Sequence, residues 1–251
     1  MSIKYLPVEH QSPGGFDNDR ITERRPVLFQ HGMPRYGPLF YWAWAKASEG
    51  GFIAEHPHQG FEIVSYVLEG TIEHQDSLGT WKSLNRGDVQ VMQTNSGVSH
   101  SERFVDTVPT EMFQIWFEPN LREALTRPPT YTDYPASSFT WNNAGGNRVK
   151  HILGDGAPAP LRTDAHFHEI LLQPKGSLKL KKDNVHVVIV AISGDGEVIM
   201  GEEKITLHKG DAAVVTLGTG EEFRTRALDS GFGYAQVMVP VKVGYALYPE
   251  I

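Results

Sequence analysis

The 251-residue chain carries 23 Lys and Arg against 30 Asp and Glu, a formal net charge of −7, and no cysteine. The acidic balance argues against affinity built on a nucleic-acid phosphate backbone, which needs a basic face; without cysteine there are no disulfides or thiolate ligands, so any metal must be held by nitrogen and oxygen donors. No apolar run approaches the roughly 20 residues of a membrane-spanning helix, and the opening MSIKYLPVEHQSPGG lacks the order of a secretory signal, so a cytoplasmic protein with no membrane partner and no directly bound nucleic acid is expected.

The first 49 residues begin with polar turn signals and continue into Phe40-Tyr-Trp-Ala-Trp44, an aromatic alternation suited to a strand in which Trp42 and Trp44 fill the core. The basic run Arg20–Arg25 is interrupted by Glu23 and reads as a solvated edge, while His10 and His31 have no partner at ligand spacing and read as structural.

The stretch His56-Pro-His58-Gln-Gly-Phe-Glu62 is different. In an extended strand side chains alternate faces, so His56, His58 and Glu62 are expected to point one way and Gln59, Phe61 and Ile63 the other. Ser99-His100-Ser101-Glu102 follows the same parity. Two strands that each present ligand-type side chains to one face give a pocket of imidazole and carboxylate fit for a divalent transition metal. Between them, short apolar runs are divided by Glu69-Gly70, Asp76–Gly79, Asn85–Asp88 and Asn95–Gly97. Regular strands with such punctuation and no helical period predict an antiparallel sandwich or barrel. His74 matches neither ligand pair in spacing and is expected to stabilise a turn or support a ligand.

Asn120–Arg127 predicts a short connecting helix, and residues 118–148, with Pro128-Pro129, form the crossing between halves. The second half repeats the glycine punctuation: Gly70 is answered by Gly194 and Gly87-Asp88 by Gly210-Asp211, offsets of 124 and 123. Carried across by these offsets, the candidate positions become Leu180, Lys182, His186, Phe223 and Thr225, of which only His186 is a metal donor. Lys175–Lys182 reads as an edge strand with Lys179 and Lys181 outward. His166-Phe-His168-Glu169 lies ahead of the strand where the ligands would fall, and reads as an ordinary strand able to scavenge metal adventitiously.

Gly50, His56-x-His58, Glu62 and Gly70, then Gly87 and Gly97-x-x-His100, resemble the two cupin motifs, and HPHQGFEIVSYVLEG with GDVQVMQTNSGVSHSE is similar to the pirin branch of the cupins. The resemblance implies an all-β bicupin of two tandem antiparallel β-barrels, with a metal-binding domain over residues 1–135 and a ligand-free cupin-like domain over 136–251. It implies one divalent metal per chain on His56, His58, His100 and Glu102, Fe(II) first, with Mn, Co, Ni, Cu and Zn open. Glu62, a ligand in many cupins, is then a second catalytic carboxylate beside Glu102. By the same resemblance the chain is a quercetin-type dioxygenase acting on a small aromatic or enolic substrate with O2, as a monomer or weak homodimer; the alternative is a non-catalytic, iron-binding, redox-responsive regulatory or interaction protein. The chain departs from the family pattern at Gln59 (usually Arg), Val91 (usually Trp) and Thr94-Asn95 (often Ala-Gly).

Overall fold

The computed structural model describes residues 2–30, 34–107, 109–154 and 156–248; His31 lies outside them. In chain order the strands are β1 (Ser2–Leu6), β2 (Ser12–Phe16), β3 (Ile21–Leu28), β4 (Leu39–Ala47), β5 (Phe52–His58), β6 (Glu62–Glu69), β7 (Thr71–Asp76), β8 (Trp81–Asn85), β9 (Val89–Gln93), β10 (Val98–Phe104) and β11 (Thr110–Phe117). A one-turn helix α1 (Leu121–Ala124) follows, shorter than the sequence predicts, then β12 (Thr130–Tyr134), β13 (Trp141–Ala144), β14 (Asn147–Leu153), β15 (His166–Leu172), β16 (Ser177–Lys181), β17 (Val185–Met200), β18 (Glu203–Leu207), β19 (Ala212–Leu217) and β20 (Glu222–Pro240). No helix among the described residues is long and apolar enough to cross a membrane.

The N-terminal unit holds a seven-stranded sheet, ordered β12-β9-β6-β11-β4-β3-β2, and a four-stranded sheet, β5-β10-β7-β8. The C-terminal unit is one nine-stranded sheet whose main path is β1-β19-β17-β20-β15-β14-β13. All pairings between the named strands are antiparallel, as a β-rich bicupin requires, and no ladder closes either unit among the described residues. Bulges between Ala191 and Ser193 and between Gly194 and Gly196 let the two ends of β17 pair with different neighbours, β19 and β18. In the N-terminal unit the matching break falls at Gly70, which separates β6 from β7.

The repeat seen in the glycine spacing is a repeat of hydrogen bonds. Gly87 N donates to Val67 O and Val67 N to Asp88 O; Gly210 N donates to Ala191 O and Ala191 N to Asp211 O. Asp88 accepts the amides of Asn85 and Ala136, and Asp211 those of His208 and Val8. Gly87 and Gly210 have φ of 86° and 94°, and a Cβ would lie 2.9 Å from Ala136 Cβ or 2.7 Å from Val8 Cγ2, so both positions require glycine. Val8 follows β1 through Pro7, as Ala136 follows β12 through Pro135. The N-terminal strand therefore does for the C-terminal unit what β12 does for its own.

The two compact units do not follow a single cut of the chain. The segment through Gln11 groups with residues 139–160 and 164–243, and residues 161–163 and 244–248 group with residues 12–138. The physical reason is edge pairing: β1 supplies the strand that covers β19, an interaction of high sequence separation that local patterning does not report. Asp211 anchors this exchange by also accepting from Tyr5 Oη at 2.9 Å. Asp211→Ala leaves two part-buried amides without their acceptor and is expected to cost about 1–2 kcal/mol, lowering the urea midpoint, with the amides of Ile3 to Leu6 gaining hydrogen exchange; unchanged exchange there would remove the anchoring role.

Candidate metal centre

The interior of the N-terminal unit is built in rows. Across β10 and β7, Phe104 opposes Ile72, Glu102 opposes His74, and His100 opposes Asp76. Phe104 and Ile72 belong to an apolar cluster with Ile21, Ala45, Ile53, Val67 and Met112. Two residues further along the same strands, the alternation places Glu102 and His74 on the same inner face, at 2 % and 0 % exposure. On β11 the same step leads from Met112 to Gln114, whose Nε2 donates to both Glu102 oxygens at 3.1 Å.

His56 and His58 join this face through an irregularity. Glu102 pairs with Ile53 but His100 with His56, so β5 carries an extra residue in this interval. The bulge reverses the parity of β5: Ile53 on one side of it and His56 and His58 on the other both serve the interior. A regular strand would have sent one or the other outward.

Two groups of three donors result, each with ligand atoms within 4.8 Å of one another: His56, His58 and His100, and His74, His100 and Glu102. Among the described residues, both such groups lie in the N-terminal unit. Neither ring nitrogen of His100 has a hydrogen-bond partner, nor has His58 Nε2 or His74 Nδ1, although all four are buried. Buried imidazole nitrogens without partners are costly unless a cation completes them, so these residues fit a metal on the chemistry of their donors. The His56 Nδ1–H donates to Ala54 O at 2.8 Å, which leaves Nε2 as the lone pair.

Burial also sets the charges. It pushes the His100 imidazole down to about 2 and His58 down to about 4, with neighbouring imidazoles adding to the effect. Glu102 is pushed up to about 7 by burial; Gln114 pulls it back down and Glu23 raises it further.

Glu62 is not part of the cluster. Gly60, with φ of 90°, turns the chain after β5, so Glu62 opens β6 in the other sheet. Its Oε1 accepts from Gln93 Nε2 and Arg162 N, and its Oε2 from Thr163 N and Oγ1. The expectation that His56, His58 and Glu62 share one strand face fails because the chain leaves the strand between them. With both oxygens engaged and 1 % exposure, Glu62 fastens residues 161–163.

The aromatic residues near the histidines were invisible as a group in the sequence. Trp116 stacks on Tyr41 at 4.1 Å and on Phe61 at 5.1 Å between centroids, and its edge meets His58 at 5.1 Å. Its Nε1 donates to Gln114 Oε1 at 3.1 Å, tying the aromatic wall to the Glu102 support. Trp42 and Trp44, by contrast, are buried core residues. Of the positions that depart from the family pattern, Gln59 donates to Ser96 O, Thr94 exchanges hydrogen bonds with the Phe61 backbone, and Asn95 bridges Pro128 O and Arg162. They hold the turns beside the histidines.

In the C-terminal unit the corresponding interior is filled. Phe223 and Tyr234 sit in its apolar core with Leu180 packed against them, and Thr225 Oγ1 is 2.7 Å from Tyr234 Oη. Lys182 Nζ lies 2.9 Å from His166 Nε2, and Lys150 is paired with Glu169 at 2.7 Å. His10 is exposed.

A model of the Pirin family matches residues 25–117. A putative quercetin 2,3-dioxygenase of Pseudomonas aeruginosa is 42 % identical over 152 residues, 59 % of this chain and 63 % of the relative's own length. Another putative quercetin 2,3-dioxygenase, from Zymomonas mobilis, is 32 % identical over 203 residues, 79 % of this chain and 76 % of that protein. The crystal structure of the bacterial pirin YhhW from Escherichia coli in complex with nickel(II) superposes with a TM-score of 0.77 at 19 % identity, covering 95 % of this chain and 99 % of that one.

The titration of Glu102 has two measurable consequences. Below about 4.5 it is protonated folded or unfolded; between about 4.5 and 7 only the folded state keeps the proton, so the stability of the metal-free protein falls as pH rises through that window and levels off above it. A cation held by Glu102 must displace that proton, whereas His58 and His100 are already neutral. Calorimetry in buffers of different ionisation enthalpy is expected to give about one proton released per ion at pH 6 and close to none at pH 8. No release at pH 6 would take Glu102 out of the ligand set.

Proposed function

Since the chain belongs to the pirin family of the cupin superfamily, we propose that it is a metal-dependent dioxygenase that opens the ring of a flavonol-like substrate, of the quercetin type, with O2. The observation that carries this reading is the convergence of partnerless buried imidazole nitrogens and the Glu102 carboxylate beside a half-buried aromatic wall. His56, His58, His100 and Glu102 would hold the ion, which supplies Lewis acidity toward an enolic oxygen and an electron path to O2. Fe(II) is the first choice for such nitrogen and oxygen donors, and the nickel(II) complex of YhhW supports keeping the wider set of divalent ions.

The remaining steps fall to the side chains. Glu102, held by Gln114 through both oxygens, takes the proton of the enolic hydroxyl as the substrate arrives. Its fixed orientation means that little reorganisation accompanies the transfer. Phe40, Phe61 and Trp116 form an apolar wall beside His58 against which a flat aromatic substrate can pack. A regulatory protein needs no such aromatic access; the half-buried rings of Phe40, Phe61 and Trp116 around His58 favour the enzyme.

Fe(II)-loaded protein is expected to consume O2 in step with loss of the quercetin absorbance. Glu102→Gln is expected to lower kcat about 10²- to 10⁴-fold, the usual effect of losing a positioned proton acceptor, and to weaken metal binding because an amide is a poorer donor. Glu62→Gln is expected to keep the metal and most of the turnover while lowering Tm, since it disturbs only the 161–163 anchor. If none of Fe, Mn, Co, Ni or Cu supports O2 consumption with a panel of flavonols, the dioxygenase reading falls and the regulatory one replaces it.

A further inference from the structure

We propose that the N-terminal unit offers a second, inner cation position, formed by His74 with His100 and Glu102, which shares those two donors with the outer set of His56, His58, His100 and Glu102 and is occupied in its place. The inference rests on the reading of this interior as a metal centre and extends it to a residue that the sequence assigns only a supporting part. Three observations point to it. The ligand atoms of His74, His100 and Glu102 all lie within 4.8 Å of one another, the same closeness that defines the outer group. All three residues are buried, His74 and His100 completely, so the inner position is dry where the outer one is half-exposed.

The third observation concerns which atom of His74 is on offer. Asp76 accepts from His74 Nε2–H at 3.0 Å, and Asp76 is itself fixed by the amides of Leu78 and Thr80 on its other oxygen. The proton is therefore on Nε2, and Nδ1 carries a lone pair with no hydrogen-bond partner. A carboxylate behind the imidazole is the arrangement that orients metal-bound histidines and raises their basicity. Tyr131 stacks on the other side of the ring at 4.6 Å, which limits its rotation. A merely structural histidine would satisfy both nitrogens. His100 has two partnerless nitrogens, so it can serve either position, and the two positions share it.

The probe is Co(II), whose visible spectrum reports donor number and type without any turnover. The wild type is titrated first. In His56→Ala/His58→Ala the outer set is broken and the inner one is intact; this variant is expected to bind one Co(II) more weakly than wild type and with a shifted visible spectrum, because two imidazole donors are replaced by one. Adding His74→Phe, which keeps the stack on Tyr131, is expected to abolish that binding, and His74→Phe alone is expected to leave the outer set binding. Circular dichroism monitors the fold of each variant. A folded double variant that binds no Co(II), or a triple variant that binds as well as the double, would overturn the inner position. Failure of the wild type to bind any Co(II) would instead remove the metal centre as a whole, and a protein that binds both ways but consumes no O2 would leave the inner position standing while the dioxygenase reading fell.

Discussion

The desolvation of imidazole inside the N-terminal unit is the constraint on which the site depends. A histidine in water exchanges its proton near neutrality, but His100, with no exposed surface, holds none until about pH 2. Such a ring is a lone-pair donor at every physiological pH. The same desolvation acts oppositely on Glu102, holding its proton up to about pH 7. Neutral donors and a carboxyl on the edge of ionisation are both produced by one cause, burial among the apolar residues of the unit, Phe104, Ile72 and Met112 lying in the neighbouring row.

This arrangement requires strands whose alternation places polar side chains inside, and it is achieved with two departures from regularity and one regular register. The bulge in β5 brings His56 and His58 inward alongside Ile53. The positive φ of Gly60 ends that strand before Glu62. The cross-strand register of β7 on β10 sets His74 directly opposite Glu102, where side chains are close enough to share a ligand. Each departure decides one residue's role. A one-residue slip at the first would send both histidines to solvent.

Much of this was legible in the sequence, and the remainder was hidden for stated reasons. The β architecture, the turns and the duplication are legible because glycines at positive φ are local requirements, and Gly87 and Gly210 sit in matching hydrogen-bond patterns. The convergence of His56, His58 and His100 follows from spacing. Glu62 lies off their face because the turn at Gln59-Gly60 breaks the parity that spacing alone carries through. The inward placing of His74 is written in the alternation Ile72, His74, Asp76 within its own strand, which the spacing of the two ligand pairs does not report. Gln114 and Trp116 carried no local signal; their role exists only through the pairing of β11 with β6 and β4. Likewise nothing near residues 1–11 announces that β1 pairs with β19.

The two units separate what makes the fold from what makes the site. The Gly-Asp turns, whose bonds run largely through backbone groups, are the same in both. The interior side chains are not: where the first unit has His100 and Glu102, the second has Phe223 and Thr225, packed with Tyr234 and Leu180. At these two positions the second unit buries an apolar ring and a hydroxyl that has its own partner, so it avoids there a cost that the first bears at His100 and Glu102 until a cation is bound. The inequality of the two interiors is therefore itself an argument that the buried histidines of the first unit are there to bind.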